Sequence, residues 1–299
     1  MPRQVLAVDL GGTSMRVART SPTGEVLDRL ERPTGEDPTV LLTHMRAVAA
    51  TGPVAHAVVG VPGRVDYGHG RLEYAPNLRT SWLDVLDEVV IRDALGLEVA
   101  LANDADLAAV GEAWFGAGRD FADVAYLTVS TGIGAGVVTG GLLVHGKRSL
   151  AEVGHTVVDG EALAAGRPAT VEELGSGTAL DRLAEEAGLD ARGKDLVDLV
   201  RGGDEAAAKV LTRVVTAAAI GAVNLAHLFT PEVIVVGGVL GLNGDLVLQP
   251  IRNLLETRGP RALPVPIAVV NAALGDDAGL AGAAAWHRAF RPEAASRER

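Results

Sequence analysis

The 299-residue chain is 48% hydrophobic and carries a formal charge of −11, with 27 Lys and Arg against 38 Asp and Glu. That length suits one two-lobed globular protein or two intimately packed domains. With no Lys/Arg-rich run, its field repels phosphate backbones and offers nothing to an anionic membrane, so neither nucleic acid nor membrane is an expected partner. Cysteine is absent, which excludes disulfides and thiolate metal sites and suits a reducing cytoplasm. The apolar run 5–8, closing on Asp9, is too short for a signal peptide or a membrane span. Glycine is abundant (37 residues) while aromatics make up only 3%, a balance that favours close backbone approach to phosphate over aromatic stacking.

In chain order, Val5 to Asp9 reads as a buried strand, Leu10 to Thr13 as a tight turn, Ser14 to Thr20 as a second strand and Glu25 to Leu30 as a third. No helix follows the glycine pair, so the segment is neither a Rossmann nor a P-loop unit. A helix over 38–50, a strand over 54–61, a helix over 83–95, a strand over 97–101 and a helix over 104–115 complete the first half. The opening layout then recurs: strand 124–129, glycine turn 130–134, strand 135–139, a Gly140-Gly141 turn and strand 142–144. Segment 159–170 has no clear periodicity. A long apolar core helix over 204–228, a strand 232–236, a helix 246–258, a strand 266–270 and a closing helix 277–288 follow, and the charged tail 292–299 is expected to fray. This duplication resembles the actin-like ATPase (ribonuclease H-like) fold, an α/β architecture with two lobes around a central cleft. The expected division is a smaller N-terminal lobe, 1–115, completed by the helix 277–290, and a larger lobe, 116–276.

Asp9 sits at a strand end ahead of Gly11, Gly12 and Thr13, where backbone amides can approach phosphate and the carboxylate can face Mg²⁺, in contact or through water. Alone, the pattern also suits an ordinary glycine hairpin. The second copy, with Ser130, Thr131, Gly132 and Gly134, turns the balance toward phosphates gripped from both lobes. Gly237 and Gly238 make a third glycine turn that could let an adenine and ribose lie on bare backbone. Asn103 and Asp104 end a strand and open a helix, the edge where open sheets place ligands, although an Asp there can also be a simple N-cap. Asp276 and Asp277 read as helix caps rather than catalytic groups. Gly63 and Asn77 lie in loops, and a buried Asn77 amide would need hydrogen-bond partners such as a polyol. Glu152, His155 and Glu172 follow the second hairpin and by themselves could be surface residues.

Taken in order, Asp9-Leu-Gly-Gly-Thr13, Gly60-Val-Pro-Gly63, Pro76-Asn77, Asn103-Asp104, Ser130-Thr-Gly-Ile-Gly134, Glu152-Val-Gly-His155, Glu172 to Ser176, Gly237-Gly238 and Leu274 to Gly279 resemble the ROK family of sugar kinases across nearly the whole chain. The resemblance implies an ATP- and Mg²⁺-dependent kinase with Asp104 as general base for the sugar hydroxyl. It also implies Gly63, Asn77, Asn103, Glu152, His155 and Glu172 as sugar ligands, a hexose or close analogue as substrate, and a homodimer. One departure is large: the family's usual zinc motif has Leu163, Ala165 and Thr170 where its cysteines would stand, so no zinc is expected. The first strand begins at residue 5, ahead of which the winged helix of the family's repressor branch does not fit, so a DNA-binding role is not expected. Two alternatives stand beside the kinase. One is a non-catalytic sugar or nucleotide sensor, which would need neither a base nor a γ-phosphate grip. The other is a filament- or chaperone-type ATPase, which would leave the sugar-site residues unexplained.

Overall fold

The computed structural model describes residues 4–291; the tail 292–299 lies outside them. Two compact units form, one from 4–122, 136–150 and 273–291, the other from 123–135 and 151–272.

In the first unit, β1 (Gln4–Leu10), β2 (Ser14–Thr20), β3 (Val26–Pro33) and β4 (Val54–Val61) share a sheet with β7 (Val99–Asn103) in the order β3-β2-β1-β4-β7. The first three strands run antiparallel by hairpin connection, and β1, β4 and β7 run parallel. The near-continuous apolar runs of β1 and β4 reflect burial by helices on the sheet faces. The helices are α1 (Thr39–Ala49), α2 (Glu88–Leu95), α3 (Asp104–Phe115) and, from the end of the chain, the segment Ala278–Ala289. Leu6, Val8, Met15, Leu41, Met45, Val59, Trp82 and Ile91 lie at the centre of this core. A short hairpin, β5 (Arg64–Asp66) with β6 (Arg71–Tyr74), branches off after β4.

Among the boundaries that differ from the sequence reading, two have identifiable reasons. The helix expected from 83 begins at Glu88, because Asp87 caps it through Val89 and Val90 N–H while Trp82 and Leu86 turn inward. The strand expected over 97–101 runs to Asn103, because its register with β4 pairs Val61 with Asn103. At this edge strand, the Glu88 carboxylate accepts the Leu101 N–H at 2.8 Å.

The second sheet repeats the first in order: β8 (Asp123–Val129), β9 (Ile133–Thr139), β10 (Leu142–Leu143), β11 (Val233–Gly237) and β12 (Ala268–Asn271) lie as β10-β9-β8-β11-β12. The duplication read from the two glycine hairpins therefore extends to all five strands. Five helices precede β11: α4 (Gly160–Ala164), α5 (Val171–Gly175), α6 (Gly177–Glu186), α7 (Gly193–Arg201) and α8 (Glu205–Phe229). α9 (Asp245–Arg258) precedes β12, and α10 is the closing helix Ala278–Ala289. Among the described residues α8 alone is long and apolar enough to cross a membrane, and it is mostly buried in its unit, as expected of a core helix.

The unit boundaries depart from the expected 115/116 and 276/277 divisions. Segment 116–122 stays with the first unit, where the Ala122 carbonyl accepts from Gly140 N. So does 136–150: Gly136 packs directly on Ala109 and the Ala105 carbonyl of α3, and Arg148 pairs with Glu73 at 2.6 Å.

Candidate active site

In the first unit, the Asp9–Thr13 turn closes through Gly11 N donating to the Ser14 carbonyl at 2.8 Å. Thr34, fully buried, braces it from beneath: its hydroxyl donates to the Gly11 carbonyl at 2.7 Å and its N–H to the Thr13 carbonyl at 3.0 Å. Gly12 and Thr13 are exposed. A Cβ on Gly12 would meet Asn77 Cβ at 3.0 Å, so the glycine lets the 75–78 loop approach the turn. Asn77 itself is exposed, not the buried amide expected; what packs is its backbone and Cβ.

Asp9, one residue before the end of β1, is level with Gly60 of β4, which in turn is level with Ala102 of β7, so Asp9 and the Asn103-Asp104 pair share the carboxyl edge of three parallel strands. Burial pushes the Asp9 carboxyl above the ordinary carboxylate range, and Arg16, donating at 3.1 Å, offsets this only in part. Arg16 also pairs with Asp276 at 3.3 Å and Glu31 at 3.6 Å, while Arg29 pairs with Asp277 at 2.7 Å. Asp276 and Asp277 therefore do not cap: neither places a side-chain oxygen on the helix amides, because both are drawn to arginines on β2 and β3. Asp9 is a partly exposed hard oxygen donor, which fits a Mg²⁺ that arrives with nucleotide and keeps most of its water. Among the described residues no cluster of three or more His, Asp or Glu would hold a metal unaided.

Asn103 and Asp104 divide the work of the strand end. Asn103 Oδ1 accepts from Ala105 N and Asp106 N at 3.0 and 3.1 Å, so Asn103, not Asp104, is the N-cap of α3. Asn103 Nδ2 donates to the Gly63 carbonyl at 3.0 Å, which ties it to the expected sugar loop. Gly63 is held at φ +93°, and a Cβ there would fall 2.8 Å from Ala75 Cα and overlap the Tyr74 carbonyl. Asp104 is partly exposed in the first helical turn, its Oδ1 accepting from Ala105 N at 2.8 Å. Beneath it lies a pair that the sequence reading missed: the Tyr67 hydroxyl donates to the buried Asp106 carboxylate at 2.6 Å and accepts the Asn103 N–H at 3.2 Å. Burial, together with the Asp106 charge, pushes the Tyr67 phenol well above its usual range.

In the second unit, Glu172 Oε2 accepts the Ile133 N–H at 2.8 Å and lies 2.5 Å from where a Gly132 Cβ would be. Gly154 abuts the Ile133 carbonyl so closely that no side chain fits. Glu172 and the Glu152–His155 segment are thus gathered around the 130–134 turn. The same turn rests on the start of α6: Gly177 N donates to the Ser130 carbonyl at 2.6 Å and the Thr178 hydroxyl to the Thr131 carbonyl at 2.8 Å. Thr131 is exposed and Gly132 and Gly134 are partly so. Glu152 and His155 are exposed, 3.9 Å apart. Gly238, at φ +82°, approaches the Val129 carbonyl to 2.5 Å from its would-be Cβ, while Gly237 is buried beneath the Tyr126 ring; of this pair only Gly238 has surface to offer a nucleotide.

The segment without cysteines has its own order. Val157 bridges Thr170, the Val158 N–H donates to the Ala169 carbonyl, Asp159 caps α4, and Thr170 with Glu173 forms a capping box whose carboxylate also takes the Ala169 N–H. Residues 160–164 are therefore helical where no periodicity was read.

By its fold and its relatives, the chain is an ATP-dependent sugar kinase of the actin-like ATPase class. More particularly, the chain belongs to the ROK family, whose description matches residues 5–289. A glucokinase of Thermotoga maritima is 34% identical over 311 aligned positions, covering 95% of this chain and 97% of the relative. A ROK family glucokinase from Streptomyces griseus, solved with glucose and AMPPNP, superposes with a TM-score of 0.79 at 30% identity, covering 94% of this chain and 98% of the other. A putative xylose repressor of Caldicellulosiruptor is 28% identical, and the match covers 85% of this chain and 70% of the relative.

Proposed function

We propose that the chain transfers the γ-phosphoryl group of ATP to the 6-hydroxyl of a hexose, glucose or a close analogue such as an amino sugar or cyclitol, with Asp104 as general base. The observation that carries this reading is the place of Asp104 at the start of α3: Asn103 caps the helix through Ala105 N and Asp106 N, and the Asp104 carboxylate, which also accepts Ala105 N, is partly exposed at the carboxyl edge of β1, β4 and β7. In the reaction the sugar hydroxyl gives its proton to Asp104 as its oxygen bonds to phosphorus and ADP leaves. Little covalent help is needed, so the protein's contribution is mainly position and charge.

Gly63, Asn77, Glu152, His155 and Glu172 bind sugar hydroxyls in this account, and Asn103 serves by holding both Gly63 and the start of α3. Gly11, Gly12, Thr13, Thr131, Gly132, Gly134 and Gly238 offer amides and hydroxyls to the nucleotide, with Gly237 supporting Gly238. Asp9 would hold Mg²⁺, directly or through water. Bound there, the cation would neutralise charge on the transferring phosphoryl group. The two compact units correspond to the two lobes of the kinase, and the active species is a homodimer in the cytoplasm, readings that rest on the family and on the lack of cysteine.

ADP release measured with MgATP across glucose, mannose, N-acetylated hexosamines, 3-amino-3-deoxyglucose and cyclitols tests the proposal. One strong responder supports it; nucleotide binding with no responder would favour a sensor. Light scattering that gave a monomer at working concentration would overturn the dimer.

A further inference from the structure

We propose that Tyr67 and Asp106 form a positioning pair for Asp104, pinning the junction of β7 and α3 so that the base meets the sugar hydroxyl in one orientation. This rests on the reading of Asp104 as general base. The Tyr67 hydroxyl spans the residue before Asp104 and the residue two beyond it, accepting from Asn103 N at 3.2 Å and donating to Asp106 Oδ2 at 2.6 Å. One group from a distant segment thus holds both the last strand residue and the first helical turn.

The hydroxyl is itself held. The Tyr67 ring lies edge-on to Phe290 at 5.1 Å and to His145 at 5.7 Å between centroids, with Trp286 at 6.0 Å, and its N–H donates to the Lys147 carbonyl at 2.9 Å. A ring packed on three sides cannot swing its oxygen away without moving α10 or the 145–147 turn. The clamp is also surplus to helix formation, because Asn103 already caps Ala105 N and Asp106 N. Removing the Tyr67 hydroxyl should therefore leave the helix folded and free its first turn to wander. For a reaction governed by alignment, that wandering appears in turnover. Neither Tyr67 nor Asp106 is assigned contact with substrate; both act through Asp104.

The test compares full-length wild type, Tyr67→Phe, Asp106→Asn, Asp106→Ala and the Tyr67→Phe/Asp106→Ala double variant, reading kcat, KM for the responding sugar and for ATP, and Tm. Tyr67→Phe should lose roughly ten- to a hundredfold in kcat with both KM values within about twofold. Asp106→Asn keeps an oxygen that accepts from the phenol and should retain most of the activity, whereas Asp106→Ala should resemble Tyr67→Phe, with the double variant no worse than the poorer single one. Unchanged kcat in Tyr67→Phe, with or without a lower Tm, would overturn the pairing, as would Asp106→Asn falling as far as Asp106→Ala. If Asp106→Ala does not fold, Tyr67→Phe decides alone. A wild type with no sugar-dependent turnover would instead remove the general-base reading, and this inference with it.

Discussion

Replacing Gly63 with Ala tests the geometry that joins the expected sugar loop to the start of α3. At φ +93° an added Cβ carries the backbone cost of a conformation that L-residues avoid, about 1–2 kcal/mol. It would also stand 2.8 Å from Ala75 Cα and overlap the Tyr74 carbonyl, both backbone, so the 74–77 segment after β6 must retreat by roughly 1 Å to restore ordinary carbon contact. Part of the Gly63–Asn103 hydrogen bond is lost in the adjustment, adding about 0.5–1 kcal/mol. The sum is about 1.5–3 kcal/mol of destabilisation by urea titration. Because the retreat carries Asn77 away from Gly12, sugar KM should rise by an order of magnitude or so. A variant within about 0.5 kcal/mol of wild type and with unchanged KM would refute the close approach.

Glu112 is fully buried and its carboxylate accepts Ala117 N, Ala273 N and Leu274 N at 2.8, 3.1 and 2.8 Å, tying the end of α3 to the approach to α10. Glu112→Ala should cost about 3–5 kcal/mol in denaturant unfolding, with Glu112→Gln retaining part of that; a loss below about 1 kcal/mol would contradict this anchoring. Asp66 is buried, a burden that raises its pKa, but His69 and Lys147 outweigh burial and bring it to about 2. A depressed carboxylate stabilises the fold above its unfolded pKa, near 4, and loses that contribution as pH falls through about 2. The stability gap between wild type and Asp66→Asn should therefore shrink between about pH 4 and pH 2, by about 1–2 kcal/mol once the half-exposed partners are allowed for. A gap independent of pH would exclude the ion pairs as its source.

How much of this was legible beforehand depended on the range of the interactions involved. The β1–β2 hairpin and its repeat were readable because strand, glycine turn and strand are local patterns, and α3 was read to the residue because a strand end, an Asn-Asp pair and helical periodicity coincide. α4 and α5 were not, since they span five residues each and leave too few turns for periodicity to show, whereas α6 and α7 carry an apolar stripe (Leu180, Leu183 and Ala184; Leu196 and Val197) that the sequence reading passed over. The Thr170–Glu173 capping box was nevertheless a usable local signal. Asp276 and Asp277 were assigned as caps because Arg16 and Arg29 lie some 250 residues away in sequence. Tyr67 and Asp106 stand 39 apart, and Thr34 and Gly11 stand 23 apart; no local pattern links either pair. Burial of the Asn77 amide was inferred from apolar neighbours, yet a loop bounded by Pro76 turned that side chain outward.

The most direct test of the central claim is sugar-dependent ADP formation by wild type and Asp104→Asn, side by side on the best substrate, with calorimetric sugar binding as control. The account predicts about 10²- to 10⁴-fold slower turnover for Asp104→Asn with fold and sugar affinity retained, since Asn103 still caps α3. Near-normal turnover in Asp104→Asn would contradict it.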